Sequence, residues 1–130
     1  VPGEAVLTGG TTISSIVAVK LKREQSKSLQ KSSLMEIINN AGISDVQKQD
    51  AINKLLEVNS ISQKEAEAEL LLEAKGFTDV VVSITDGSVD VVVNAASLSD
   101  ADRAQIEDIV KRKTEISADK IIIMPFVENN

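Results

Sequence analysis

The sequence predicts an α+β fold in which an N-terminal helical extension leads into an α-β-β-α-β two-layer module with a three-stranded sheet. Three observations carry that prediction. Asp86-Gly87 separates two β-branched runs, which is the strongest short-range signal for a hairpin. Serine caps at Ser44, Ser62 and Ser99 open segments of helical periodicity. A last apolar run, Lys120 to Phe126, supplies a third strand. Three units follow: a flexible lead-in over 1–11, a helical region over 12–59 and the α-β-β-α-β module over 60–127.

Val1 to Thr11 is rich in Gly and Thr and reads as the lead-in. From about Thr12 to Asn40 there is neither Pro nor Gly, so one long helix is allowed. Ile13, Val17 and Leu21 share one face, and Met35 and Ile38 return near it. Between them that face carries Glu24, Ser28 and Lys31, so its apolar stripe is interrupted. Such a helix either projects into solvent at its centre or is supported there by a partner. Asn39-Asn40-Ala41-Gly42 ends it.

Ser44-Asp45-Val46-Gln47 fits a capping box, and Val46, Ile52, Leu55 and Leu56 are expected to form a buried stripe broken at Asn59-Ser60. Ser62-Gln63-Lys64-Glu65 repeats the box pattern and opens a third helix on which Ala66, Leu70 and Ala74 recur at spacing four. Gly76 supplies a left-handed cap there, with Phe77 folding back on Leu72.

A two-residue turn at Asp86-Gly87 fixes the hairpin register. It sets Val80 against Val93, Val82 against Val91 and Ile84 against Val89 on one aliphatic face. The other face pairs Val81 with Val92, Ser83 with Asp90 and Thr85 with Ser88. Ser99-Asp100-Ala101-Asp102 caps a fourth helix with Ile106, Ile109 and Val110 facing inward. Lys111, Arg112 and Lys113 then complement the helix dipole at its end. The final strand is expected to stop at Pro125. Three strands leave two edges, at least one of them a candidate for strand addition.

Composition narrows the function. Hydrophobic residues make up 42% of the 130 residues, with two Phe and no Trp or Tyr, so the core is aliphatic. The absence of Cys and His excludes a thiol nucleophile, an imidazole base, a Cys/His zinc site and a disulfide framework. No window supplies the roughly 20 apolar residues that cross a bilayer. The chain begins at Val1 rather than Met, and a membrane anchor, if the full protein has one, is expected ahead of it. Net charge is −6, and residues 60 to 130 hold 14 Asp/Glu against 7 Lys/Arg. An acidic module of this kind is a poor match for phosphate backbones, so nucleic acid is not an expected partner.

No motif carries chemistry, no cofactor is expected, and the chain reads as non-enzymatic. Glu65, Glu69 and Glu73 form an acidic stripe whose expected role is a solvated face, because a single helix stripe does not converge on a metal. Asp100-x-Asp102 resembles the start of a calcium loop, but Lys111 occupies the position that needs a Glu. Lys20, Arg23, Lys27 and Lys31 make a basic face on the first helix. Three readings fit that face: solvation, an anionic membrane surface, or an acidic protein surface. The membrane reading lacks a sustained apolar face opposite the charges. On the protein reading, a head-to-tail contact of this face with the acidic module of the next copy could close a ring.

The α-β-β-α-β order with an aliphatic hairpin resembles the ring-building motif of secretion-system and flagellar basal-body ring proteins. More narrowly, three stretches resemble the stage III sporulation protein AH family: Val17 to Lys27, Leu70 to Phe77, and Leu98 to Val110. That resemblance implies an extracytoplasmic interaction domain held by an N-terminal anchor in the mother-cell membrane around the forespore. It implies binding, in the intermembrane space, to stage II sporulation protein Q, a forespore protein with a peptidase-like domain. It also implies a channel or ring built by the pair. The family offers no catalytic residue to carry over, and its partner contacts are not a sequence motif. On physical grounds the expected docking strand is Lys120, Ile121, Ile122, Ile123 and Met124, flanked by Lys20, Arg23, Lys27 and Lys31. The alternatives are another ring-forming secretion-type domain, a KH-type nucleic-acid module and a small Asp/Glu enzyme. The KH reading lacks a Gly-x-x-Gly loop, and the enzyme reading lacks a substrate to propose.

Overall fold

A computed structural model describes residues 15–127. The lead-in expected over Val1 to Thr11, and Ile13 with it, lie outside the described residues. The architecture is α+β, in the order α1 (Ile16–Ile38), α2 (Asp45–Ala74), β1 (Val80–Thr85), β2 (Ser88–Asn94), α3 (Asp100–Thr114) and β3 (Ile121–Phe126). A 3-10 turn, Ala118–Lys120, leads into β3.

The hairpin forms in the predicted register, from Val80 opposite Val93 to Thr85 opposite Ser88. Asp86 and Gly87 take φ of 50° and 77°, the two positive angles that a twisted two-residue turn demands. β2 pairs in parallel with β3 after the α3 crossover, giving a mixed sheet of order β1-β2-β3. β3 runs through Pro125 instead of stopping there. The Phe126 carbonyl accepts from Ala95 N–H. By the alternation of the ladder, Ile121, Ile123 and Pro125 therefore turn their backbone groups away from β2. A missing N–H on that outer side costs no ladder bond, which is where an edge strand tolerates proline.

One face of the sheet holds the main core. Val80 and Val82 of β1 and Val89, Val91 and Val93 of β2 pack against Ala68 and Leu72 of α2 and Ile106, Ile109 and Val110 of α3. Each Val, Leu and Ile side chain among them contributes about 1.5–3 kcal/mol when fully removed from water. On the opposite face Val81 and Val92 are buried under Ile16 at the start of α1, with Val19 and Phe126 beside them. The rest of that face is open at β3, where Ile122 and Met124 are exposed.

Local signals at the ends of elements behave as the sequence predicts. Ser44 with Gln47 and Ser99 with Asp102 form capping boxes. After α2, Phe77 N–H bonds the Leu72 carbonyl and Gly76 N–H bonds that of Glu73, a Schellman closure made possible by Gly76 at φ 103°.

The helical region departs from expectation in two ways. The second and third helices are one helix of 30 residues, with Asn59 and Ser60 inside it. Asn and Ser are weak helix formers, costing at most about 0.7 kcal/mol each, and no Gly or Pro interrupts the segment. Ser62 is thus mid-helix rather than a cap, and its buried hydroxyl has no hydrogen-bond partner among the described residues. The apolar stripes are also largely turned outward: Val17, Leu21, Val46, Leu56 and Leu70 are exposed, while Ile52 and Leu55 are half-buried. The residues that turn inward are Ile16, Lys27, Ala51, Glu65, Ala68, Glu69 and Leu72.

Candidate interaction site

The inward-facing charges form a ladder between antiparallel helices. Lys20, Arg23 and Lys27 climb α1 at roughly one-turn spacing, and Glu73, Glu69 and Glu65 descend α2 at the same interval. Lys20 Nζ lies 3.9 Å from Glu69 and 4.0 Å from Glu73. Arg23 Nη1 donates to Glu69 Oε2 at 2.6 Å, and its Nε is 3.8 Å from Glu65. Lys27 Nζ donates to Glu65 Oε1 in a buried ion pair.

The ladder also reaches the sheet. Val82 N–H donates to Glu69 Oε2 at 2.8 Å and Ile84 N–H to Glu65 Oε2 at 2.7 Å. Arg23 Nη1 donates to the Val82 carbonyl at 2.6 Å. Burial, and then the like charge of Arg23, push the Lys27 ammonium below its usual range, against the attraction of Glu24 and Glu69. Glu65, at 1% exposure, keeps company that a buried carboxylate requires: a cation and a backbone donor.

This corrects the reading of Glu65, Glu69 and Glu73 as a solvated stripe. Glu65 and Glu69 are buried, and the basic face and the acidic stripe meet within one chain. Lys31 stands beyond the ladder, half-buried, with no carboxylate partner among the described residues. A groove of about 630 Å³ runs beside the ladder, between α1, α2 and the hairpin tip, with Arg23, Lys27, Glu65 and Ile84 among its walls. Among the described residues no group of three carboxylates is placed to hold a metal ion. Asp100 and Asp102 lie in the first turn of α3, where Asp102 completes the Ser99 box.

The expected docking strand occupies the opposite edge of the sheet. Lys120 ends the 3-10 turn, and Ile121 to Met124 lie in β3. Ile121 and Ile123 pack toward the core, whereas Ile122 is 54% and Met124 39% exposed on the other face, with exposed Val127 just beyond. Ile121 N–H is taken by the Ala118 carbonyl, and Arg103 Nη1 approaches the Ile123 carbonyl at 3.4 Å. The structure therefore does not bring the basic residues and β3 together: Arg23 bonds the β1 edge, Lys20 and Lys27 pair with the α2 glutamates, and β3 is the far edge.

Comparison with known proteins settles the family. The sequence model of the SpoIIIAH-like protein family matches residues 6–123. The chain belongs to that family. A solved structure described as the SpoIIQ–SpoIIIAH pore-forming complex contains a chain with the same fold, at a TM-score of 0.72 and 18% identity. The match covers 85% of this chain and 96% of that one. No curated protein sequence matches. Among the described residues of this SpoIIIAH-like chain, no helix is long and apolar enough to cross a membrane.

Proposed function

We propose that this SpoIIIAH-like chain is a non-enzymatic, extracytoplasmic interaction domain of a sporulation channel, docking SpoIIQ across the space between mother cell and forespore and joining a ring. Family membership and likeness to a chain from a SpoIIQ–SpoIIIAH complex support this reading. The observation that carries the docking surface is the exposed pair Ile122 and Met124 on the strand left at the open side of the sheet, with exposed Val127 just after it. Large apolar side chains on an edge strand are what a partner sheet or apolar groove covers. In this reading Lys120 to Met124 form the docking strand, and the 60–127 module presents it. Lys31 is the member of the basic face left to meet an acidic partner, while Lys20, Arg23 and Lys27 act from the ladder, by holding the module's shape.

The test is light scattering after size exclusion, on the chain alone and mixed with the soluble domain of SpoIIQ. A mixed complex is expected for the native chain, and Ile122→Lys with Met124→Lys should abolish it while leaving the thermal transition in place. Both side chains point away from the core, so the variant is expected to fold. A folded double variant that binds undiminished would reject β3 as the docking strand. Absence of any mixed complex at low salt would reject SpoIIQ as the partner.

A further inference from the structure

The outer edge of β1 meets the ladder through a match of spacings. Outward N–H groups two residues apart on a strand are separated by about 6.8 Å. Side chains four residues apart on a helix rise about 6 Å. Glu69 and Glu65 use that match to accept from Val82 and Ile84 N–H at 2.8 and 2.7 Å, while Arg23 donates to the Val82 carbonyl at 2.6 Å. Two acceptors and one donor stand where a fourth strand would place its own backbone groups.

We infer that Glu65, Glu69 and Arg23 close the β1 edge as a substitute strand, so that the sheet takes a partner strand at β3 alone and assembly by strand addition stops at one partner per molecule. The two edges differ in kind. At β1 the Val82 N–H and Ile84 N–H are satisfied by the buried carboxylates of Glu69 and Glu65, the latter paired with Lys27, and the Val82 carbonyl by Arg23 of α1. At β3 the Ile121 N–H is spent on Ala118 and Pro125 has none, which leaves Ile123 as the donor a docking strand can use. A bare β1 edge would let β3 of one copy add to β1 of the next. That head-to-tail contact is heterologous and leaves a free edge on each added copy, so it would propagate into larger assemblies. The inference concerns this chain's own sheet and is independent of which protein docks at β3.

Two variants with equal net charge separate edge closure from electrostatics. In the first, Glu65→Leu and Glu69→Leu are combined with Arg23→Met and Lys27→Met, removing the acceptors. In the second, Glu65→Gln and Glu69→Gln are combined with the same two Met substitutions, keeping a carbonyl acceptor at each position. Sedimentation velocity over a hundredfold range of concentration, on folded samples, is expected to show growing polymers for the Leu set and wild-type behaviour for the Gln set. A folded Leu set that matches the wild type overturns the inference, as does a Gln set that polymerises equally. Amide exchange on the unmodified chain decides the matter if the Leu set does not fold. Val82 and Ile84 amides should exchange roughly a thousandfold or more slowly than unstructured amides, and that of Ile123 far faster. Fast exchange at Val82 and Ile84 would overturn the closure directly.

Discussion

The two halves of the α1–α2 hairpin hold together by opposite means. Beside the sheet, the helices bury Lys27, Glu65 and Glu69 together with Ile16, Ala68 and Leu72. Toward the connecting loop Ala51 is the only buried residue among the described residues, and Leu29, Val46 and Leu56 are 71%, 80% and 62% exposed. Beside the sheet charge is buried along with apolar side chains, and toward the loop large apolar side chains are left in water. The difference teaches that position against the sheet, more than side-chain polarity alone, decides what this hairpin buries. Near β1 there are strand N–H groups that need acceptors, and carboxylates meet that need. Toward the loop no third element among the described residues lies against the helix pair, so a leucine there gains little from turning inward.

The largest expected effect breaks the sheet-side half. Glu65→Ala removes the partner of buried Lys27 and the acceptor of Ile84 N–H, and should cost about 3–5 kcal/mol in denaturant unfolding. Leu56→Ala, in the loop-side half, should stay within about 0.5 kcal/mol. If Leu56→Ala were the costlier change, burial would follow hydrophobicity after all.

A double-mutant cycle sharpens the same contrast with one ion pair from each half. Arg23 and Glu69 are 2.6 Å apart and mostly buried, so their coupling should reach about 1–3 kcal/mol. Asp50 and Lys54 are 3.1 Å apart, but both are more than half exposed, and an exposed i,i+4 pair of this kind is worth about 0.3–0.5 kcal/mol. Equal couplings would mean that the ladder gains nothing from leaving water.

These contrasts explain what the sequence disclosed. The hairpin register, the caps at Ser44 and Ser99, the Gly76 closure and the inward face of α3 were all legible, because each follows from a few neighbouring residues. The Asn59-Ser60 break was misread because weak helix formers resemble stops until tertiary packing overrides them. The ladder was misread for a deeper reason. Glu65, Glu69 and Glu73 at spacing four look the same whether they face water or a strand edge. Only the opposite running order of Lys20, Arg23 and Lys27, set beside a helical hairpin, hints that the two series face each other. Nothing in either series announces that Val82 and Ile84 will offer them N–H groups. For β3, the strand itself was legible, but its two faces were not separated: Ile121 and Ile123 turn to the core and Ile122 and Met124 away from it.

The smallest expected effect concerns which force governs Lys27. Burial and Arg23 lower its folded pKa below the usual 10.5, so in the window between the lowered value and 10.5 the unfolded chain binds more protons than the folded one. Stability contributed by this group therefore rises with pH through that window, and is flat below it, where both states are protonated. Other lysines titrate there too, so the quantity to measure is the stability of the wild type minus that of Lys27→Met, followed upward toward pH 10.5. Met keeps the packing of the aliphatic stem, and Glu65 retains Arg23 at 3.8 Å. The difference should widen in favour of the wild type as pH rises. A difference that stays flat up to pH 10.5 and narrows only above it would mean that attraction to Glu65 outweighs burial and holds the proton on. The ladder would then be an electrostatic clamp first and a closure of the strand edge second.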